Sequence, residues 1–170
     1  SIYYPESSPQ LASLAQAIST GGIPAQISGN VSRDLWAKLL YNCALNPLGA
    51  ILNATYGALG DSPHTRLLMD QIIEEIYQVM AAHGYSTHWD DAAGFKQAFY
   101  STMIPRTYVH ESSMLQDIRA GKKTEIDFLA GAVVQLGESK KVAVPANKFV
   151  FQQIAFIEDR NRSDHNQIGK

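Results

Sequence analysis

The chain has 170 residues, 45% of them hydrophobic and 18% charged, with a formal net charge of -2, which is one domain's worth of chain with enough apolar residues for a core. No long basic block or aromatic-interleaved basic patch occurs, no apolar run is long enough to cross a bilayer, and no signal-peptide pattern opens the chain, so neither nucleic acid nor membrane is an expected partner and a soluble cytoplasmic protein is expected. The lone Cys43 excludes an internal disulfide and a multi-cysteine metal site, and the histidines lack ligand spacing, so no metal is expected.

Residues 1–30 predict a strand at Ile2–Tyr4, a helix over Pro9–Thr20 with Leu11, Leu14, Ala15 and Ile18 on one face, a stop at Gly21-Gly22, and a second strand through the alternating Ile23, Ala25 and Ile27. Such a β-α-β unit needs a sheet to join and is expected to be the margin of a larger α/β domain. Ser1 is not an initiator methionine, so a piece of something longer is expected.

From Val31 onward the periodicity is helical. Ser32 is expected to cap a helix that carries Lys38 and kinks or stops at Pro47, which has no N–H to give. Asp61 or Ser62, followed by Pro63, starts a long helix to about His83, with Leu67, Leu68, Ile72, Ile76, Val79 and Met80 as its buried stripe and Gly84 as its end. A helix near Asp90–Met103 brings Phe95, Phe99 and Met103, and a connector through Pro105 follows. Ser113-Met-Leu-Gln116 has the form of a capping box and opens a short helix that stops at Gly121. Thr124-Glu-Ile-Asp127 begins an interior helix through Ile126, Leu129, Ala130, Val133, Val134 and Leu136. Pro145 opens a last amphipathic helix with Phe149, Val150, Ile154 and Ile157, and Arg160 to Lys170 reads as a polar tail. The expected organisation is therefore 1–30, 31–159 and 160–170.

Two clusters carry chemistry. Lys38, Asn42 and Asn46 recur at four-residue steps, so they span about 80° of arc and rise roughly 12 Å along one helical face, close enough to meet one small ligand. A solvated stripe has the same spacing. Asparagine argues for the ligand, because it is a mediocre helix former that competes for its own backbone. Downstream, His110, Ser112, Ser113 and Glu125 gather near two helix starts, where hydroxyls either cap or bind a carboxylate. No Gly-x-Ser-x-Gly elbow surrounds either serine, which removes a hydrolase reading. Cys43 reads as a small buried hydrophobe.

Trp36-x-Lys38-x-x-x-Asn42-x-x-x-Asn46-Pro47, with Ser112-Ser113-Met114-x-Gln116-Asp117 and Thr124-Glu125-Ile126-Asp127 downstream, resembles the C-terminal domain of the ketopantoate reductases over roughly residues 30–158. The resemblance implies a mainly α, multi-helix domain of the 6-phosphogluconate-dehydrogenase-like type, preceded by a short N-terminal β-α-β remnant of a Rossmann domain in cis. It implies NADPH-dependent reduction of 2-dehydropantoate to pantoate. Lys38 falls on the family's catalytic lysine and Glu125 on its acidic residue, while Asn42, Asn46 and Ser113 fall on substrate-binding positions. His110, also taken as substrate-binding, stands where the family often has asparagine, which opens the alternative of a related 2-keto acid. No Gly-x-Gly-x-x-Gly follows a strand, so this stretch is not expected to bind NADPH or turn over by itself, and its cofactor-binding residues are unknown. A homodimer, or a helical dimerisation module, is the alternative from another class.

Overall fold

The computed structural model describes residues 9–25, 27 and 29–168, and among them the backbone is helical almost throughout. Helix α1 (Pro9–Thr20) ends at the glycine pair, where Gly22 takes a φ of 90° that favours glycine. The expected Ile2–Tyr4 strand lies outside the described residues. Among the described residues of the second expected strand, Ile27 holds a bridge position and Ile23 and Ala25 do not.

The domain that follows is built from α2 (Val31–Leu52), α3 (Tyr56–Asp61), α4 (Pro63–His83), α5 (Ala92–Ala98), α6 (Ile104–Arg106), α7 (Ser113–Arg119), α8 (Ala130–Lys140) and α9 (Pro145–Ile168). Helix α2 is its axis and packs on α4, α7 and α9, while α8 closes against α9 and α4. From Cys43 to Ala50 every residue of α2 is buried, as expected of a helix surrounded by others. Full burial of Leu40 and Leu45 contributes roughly 1.5–3 kcal/mol each.

Pro47 does not end α2. The helix runs on to Leu52, because packing on all sides holds the turn that lacks the Pro47 N–H, and it closes at Asn53, whose φ of 52° is left-handed and whose N–H bonds the Gly49 carbonyl. The helix also opens one residue before Ser32, with Asn30 at the cap position.

Helix α4 has the bounds expected of it, with Pro63 in its first turn and Gly84 left-handed at its end. Its buried face is Met69, Ile72, Ile73, Ile76, Val79 and Met80. Leu67 points off that face by its helical position and is 64% exposed, and Leu68 flanks it at 39%, so neither belongs to the stripe.

The single helix expected over Asp90–Met103 is divided. Asp91 caps α5 by accepting the Gly94 N–H at 2.8 Å, and a wider turn over Phe99–Met103 then lets the Ile104 N–H reach the Phe99 carbonyl. Pro105, one residue on, has no N–H to extend a regular ladder. Phe95 and Phe99 stack at 5.6 Å inside the core. Likewise the helix expected from Thr124 begins as a tight turn over Ile126–Phe128 and is interrupted at Leu129, whose ψ of -105° is not helical, before α8 starts. Helix α9 carries the backbone through Ile168, across most of the stretch read as a polar tail.

Candidate active site

Helix α2 presents Lys38, Asn42 and Asn46 to a cleft of about 470 Å³ whose other walls are the segment after α6, the start of α7 and the turn at Glu125. All six residues that the resemblance assigns to catalysis or substrate binding line it: these three with His110, Ser113 and Glu125. The four-residue spacing therefore does converge on one space. The depth differs from residue to residue, since Asn46 is 4% exposed, Asn42 is half-buried, and Lys38 is exposed. Lys38 stands where α2 emerges from the core.

The capping expected of Ser113 falls instead to Ser112. The Ser112 hydroxyl accepts the Leu115 N–H at 3.1 Å and donates to the Asn46 carbonyl at 3.4 Å. It is wholly buried. Gly49 lies beside this contact, and a Cβ there would press on the Ala54 carbonyl at 3.3 Å while meeting the Ser112 oxygen at an ordinary 3.6 Å. With Ser112 occupied in joining α7 to α2, Ser113 is exposed at the cleft.

Glu125 sits between two fixed neighbours. Thr124 gives its N–H to the Glu158 carboxylate at 2.7 Å and takes the Ile126 N–H on its hydroxyl at 3.2 Å. Thr124 and Ile126 are buried and Glu125 is exposed between them. Its negative charge is felt across the cleft, where it adds to burial in pushing up both the Cys43 thiol and the Tyr56 phenol. Cys43 is fully buried, which leaves it no role as a nucleophile.

Sequence reading missed four further lining residues: Tyr41, Tyr56, Thr107 and Gln116. Tyr41 shares a hydrogen bond of 2.7 Å with the Thr107 hydroxyl, and Tyr56 donates to Asn46 Oδ1 at 2.7 Å. The edges of the Tyr41 and His110 rings pack on Tyr56, at 5.8 and 5.0 Å between centroids. Tyr41 adjoins Asn42 on the helix and could have been read from α2. Tyr56 follows the left-handed turn at Asn53, and no periodicity announces it.

The cleft thus combines one ammonium, two carboxamides, an imidazole, several hydroxyls and one carboxylate against an aromatic wall. That set suits a small, polar, carbonyl-bearing anion, since the cation and amide donors complement negative oxygen. A separate recess of about 400 Å³ between α4 and α9 is lined mainly by apolar side chains such as Leu68, Ile72 and Phe149. Among the described residues no group of histidine, cysteine or acidic side chains is placed to hold a metal, and no helix is long and apolar enough to cross a membrane.

The sequence profile described as ketopantoate reductase PanE/ApbA C terminal matches residues 30–158. A 2-dehydropantoate 2-reductase of Aquifex aeolicus (strain VF5) is 40% identical over 154 residues, which cover 91% of this chain and 49% of that protein. The solved PanE/ApbA family ketopantoate reductase from Ralstonia eutropha JMP134 superposes with a TM-score of 0.80 at 34% identity, over 89% of this chain and 49% of that one. A D-mandelate dehydrogenase solved with NADH and anilino(oxo)acetate superposes with a TM-score of 0.79 at 27% identity, over 90% of this chain and 49% of that one. The chain spans about half the length of the curated relatives it matches. It belongs to the ketopantoate reductase family and corresponds to that family's C-terminal domain.

Proposed function

We propose that this domain binds 2-dehydropantoate and supplies the proton in its NADPH-dependent reduction to pantoate, within an enzyme that also carries a nucleotide-binding domain. The observation behind the reading is the convergence of Lys38, Asn42, Asn46, Ser113 and Glu125, drawn from three separate stretches, on one cleft. A reduced nicotinamide, when bound by the nucleotide-binding domain, would supply hydride to the keto carbon. As that bond forms, the carbonyl π electrons move to oxygen, and the Lys38 ammonium stabilises the growing charge and then transfers a proton to it. The product is a secondary alcohol, and the neutral amine regains its proton from water. Asn42, Asn46 and Ser113 orient the carboxylate and carbonyl, and Glu125 accepts a hydrogen bond from the substrate hydroxyl.

A second reading, a reductase of another 2-keto acid, rests on His110, whose ring packs on Tyr56 at the cleft wall, and on the likeness to a D-mandelate dehydrogenase. Both readings are tested by kcat/KM of the two-domain enzyme for 2-dehydropantoate and for aryl and small alkyl 2-keto acids, with NADPH and with NADH. The first requires 2-dehydropantoate with NADPH to lead, and the second requires another keto acid to lead. In either case Lys38→Ala should reduce kcat by about 10²–10⁴-fold, and near-normal kcat in that variant would remove Lys38 from the role.

A further inference from the structure

Asn46 is 4% exposed, yet it lines the cleft. A buried carboxamide has two ends, one that only accepts hydrogen bonds and one that only donates. The accepting end is engaged, since the Tyr56 hydroxyl donates to Asn46 Oδ1 at 2.7 Å. Its Nδ2 has no acceptor among the described residues and is not among the buried atoms left without a partner, so it opens to the cleft.

Which end faces the ligand is set by Tyr56. The phenol is itself buried, and burial first, then the neighbouring Tyr41 and the charge of Glu125, push its ionisation up. It therefore stays a neutral donor. The ring is held from the side by Tyr41 and His110. The backbone N–H of Tyr56 bonds the His110 carbonyl at 3.0 Å, so the phenol has little freedom to turn away. With the carboxamide flipped, the phenol would have to accept from the NH₂ and turn its own hydrogen away from its one hydrogen-bond acceptor among the described residues, and the cleft would be offered an oxygen, which repels an anionic substrate.

We infer that Tyr56 is a positioning residue, one that acts through Asn46 by locking its carboxamide with the NH₂ towards the cleft, so that Asn46 donates to a carboxylate or carbonyl oxygen of the substrate. This rests on the proposed keto-acid chemistry for its substrate and on the hydrogen bond alone for its geometry. Asn46→Asp separates donor from acceptor at that site, because it keeps an oxygen for Tyr56 and turns a repelling oxygen on the ligand.

In the two-domain enzyme, Tyr56→Phe should raise KM for the 2-keto acid about tenfold, the size expected for one lost hydrogen bond to a ligand-orienting group, while KM for the nicotinamide stays put. Asn46→Asp should raise it further than Asn46→Ala. In the Asn46→Ala background, Tyr56→Phe should add nothing. The lock is overturned if Tyr56→Phe leaves KM unchanged, if its effect persists undiminished without Asn46, or if Asn46→Asp binds as well as the unsubstituted enzyme. A merely structural Tyr56 would lower thermal stability without this coupling. A second readout is independent of turnover: with isotope-labelled asparagine, the Asn46 side-chain amide should give one sharp pair of NMR signals that broadens or doubles in Tyr56→Phe as both carboxamide orientations become populated, and a single pair that stays sharp overturns the lock. An unsubstituted enzyme that reduces no 2-keto acid would overturn the functional reading instead, and the amide signals would still decide the lock.

Discussion

Glu75, on α4, caps α9 through Asn147. One carboxylate oxygen accepts the Ala146 N–H at 2.7 Å, and the other accepts the Asn147 N–H and its side-chain Nδ2 at 2.9 and 2.8 Å. Glu75 is 8% exposed and Asn147 wholly buried, so these are N–H groups of a first helical turn satisfied from another helix instead of by a local cap. Removing the carboxylate strands buried donors, and each costs about 1–3 kcal/mol. Glu75→Ala should therefore lower stability by roughly 3 kcal/mol or more, read from the denaturant midpoint, with Glu75→Gln costing less because it keeps one acceptor. A loss under about 0.5 kcal/mol in Glu75→Ala, the usual scale for surface changes, would show that water replaces the cap.

Gly57 ties the fold to the cleft in a different way. A Cβ on it would lie 2.5 Å from the Tyr108 ring carbons, including the ring atom nearest the backbone, so the whole side chain has to move. Tyr108 is held there by its hydroxyl bond to Asp61 and by the Gly57 N–H on its carbonyl at 2.8 Å. Gly57→Ala should cost about 1–3 kcal/mol through overpacking. The displaced segment contains His110, so KM for the keto acid should rise as well. An unchanged KM beside a clear stability loss would separate Tyr108 from the site.

The cleft was legible where periodicity carried it. Lys38, Asn42 and Asn46 are one turn apart, and any helix places them together. The cap at α7 was misread by one residue because Ser112 and Ser113 are chemically alike, and only the burial of Met114 and Leu115 against α2 decides which of them turns inward. Tyr56 was illegible for a stronger reason: it reaches Asn46 across a left-handed turn at Asn53 whose direction no local pattern encodes. The interruption at Leu129 and the wide turn over Phe99–Met103 also fall outside a 3.6-residue period.

Alkaline pH should destabilise the domain. Burial, then the carboxylates of Asp91 and Asp90, push the Tyr77 phenol up to about 12, against an ordinary value of about 10. Tyr41, Tyr56 and Tyr100 move the same way, with burial the first cause in each, and so does the Cys43 thiol. Because the folded values lie above the unfolded ones, the unfolded chain loses its protons first. The stabilisation is complete below the unfolded values and declines as pH rises, from about 8.5 for the thiol and about 10 for the phenols. The denaturant midpoint should fall across that window, with the phenolate absorbance of these four tyrosines appearing only as the protein unfolds. Rapid reaction of Cys43 with a thiol reagent in the native state at mildly alkaline pH would contradict this.

Glu158 lies on α9, outside the lining of the cleft, yet its carboxylate takes the Thr124 N–H at 2.7 Å, one residue before Glu125. Thr124 in turn holds the Ile126 N–H, so the Glu125 backbone is pinned on both sides while its carboxylate stays exposed. Charge-assisted bonds of this type contribute about 1.5–3 kcal/mol, and loss of one here frees the turn without touching substrate. Glu158→Ala should reduce kcat/KM severalfold, and Glu125→Gln, which alters the group placed beside the substrate, should reduce it more. In the Glu125→Gln background the Glu158 substitution should cost much less than it does alone, because its effect on catalysis passes through the carboxylate already removed. Independent, multiplicative losses would mean that α9 supports the cleft by some route other than Glu125.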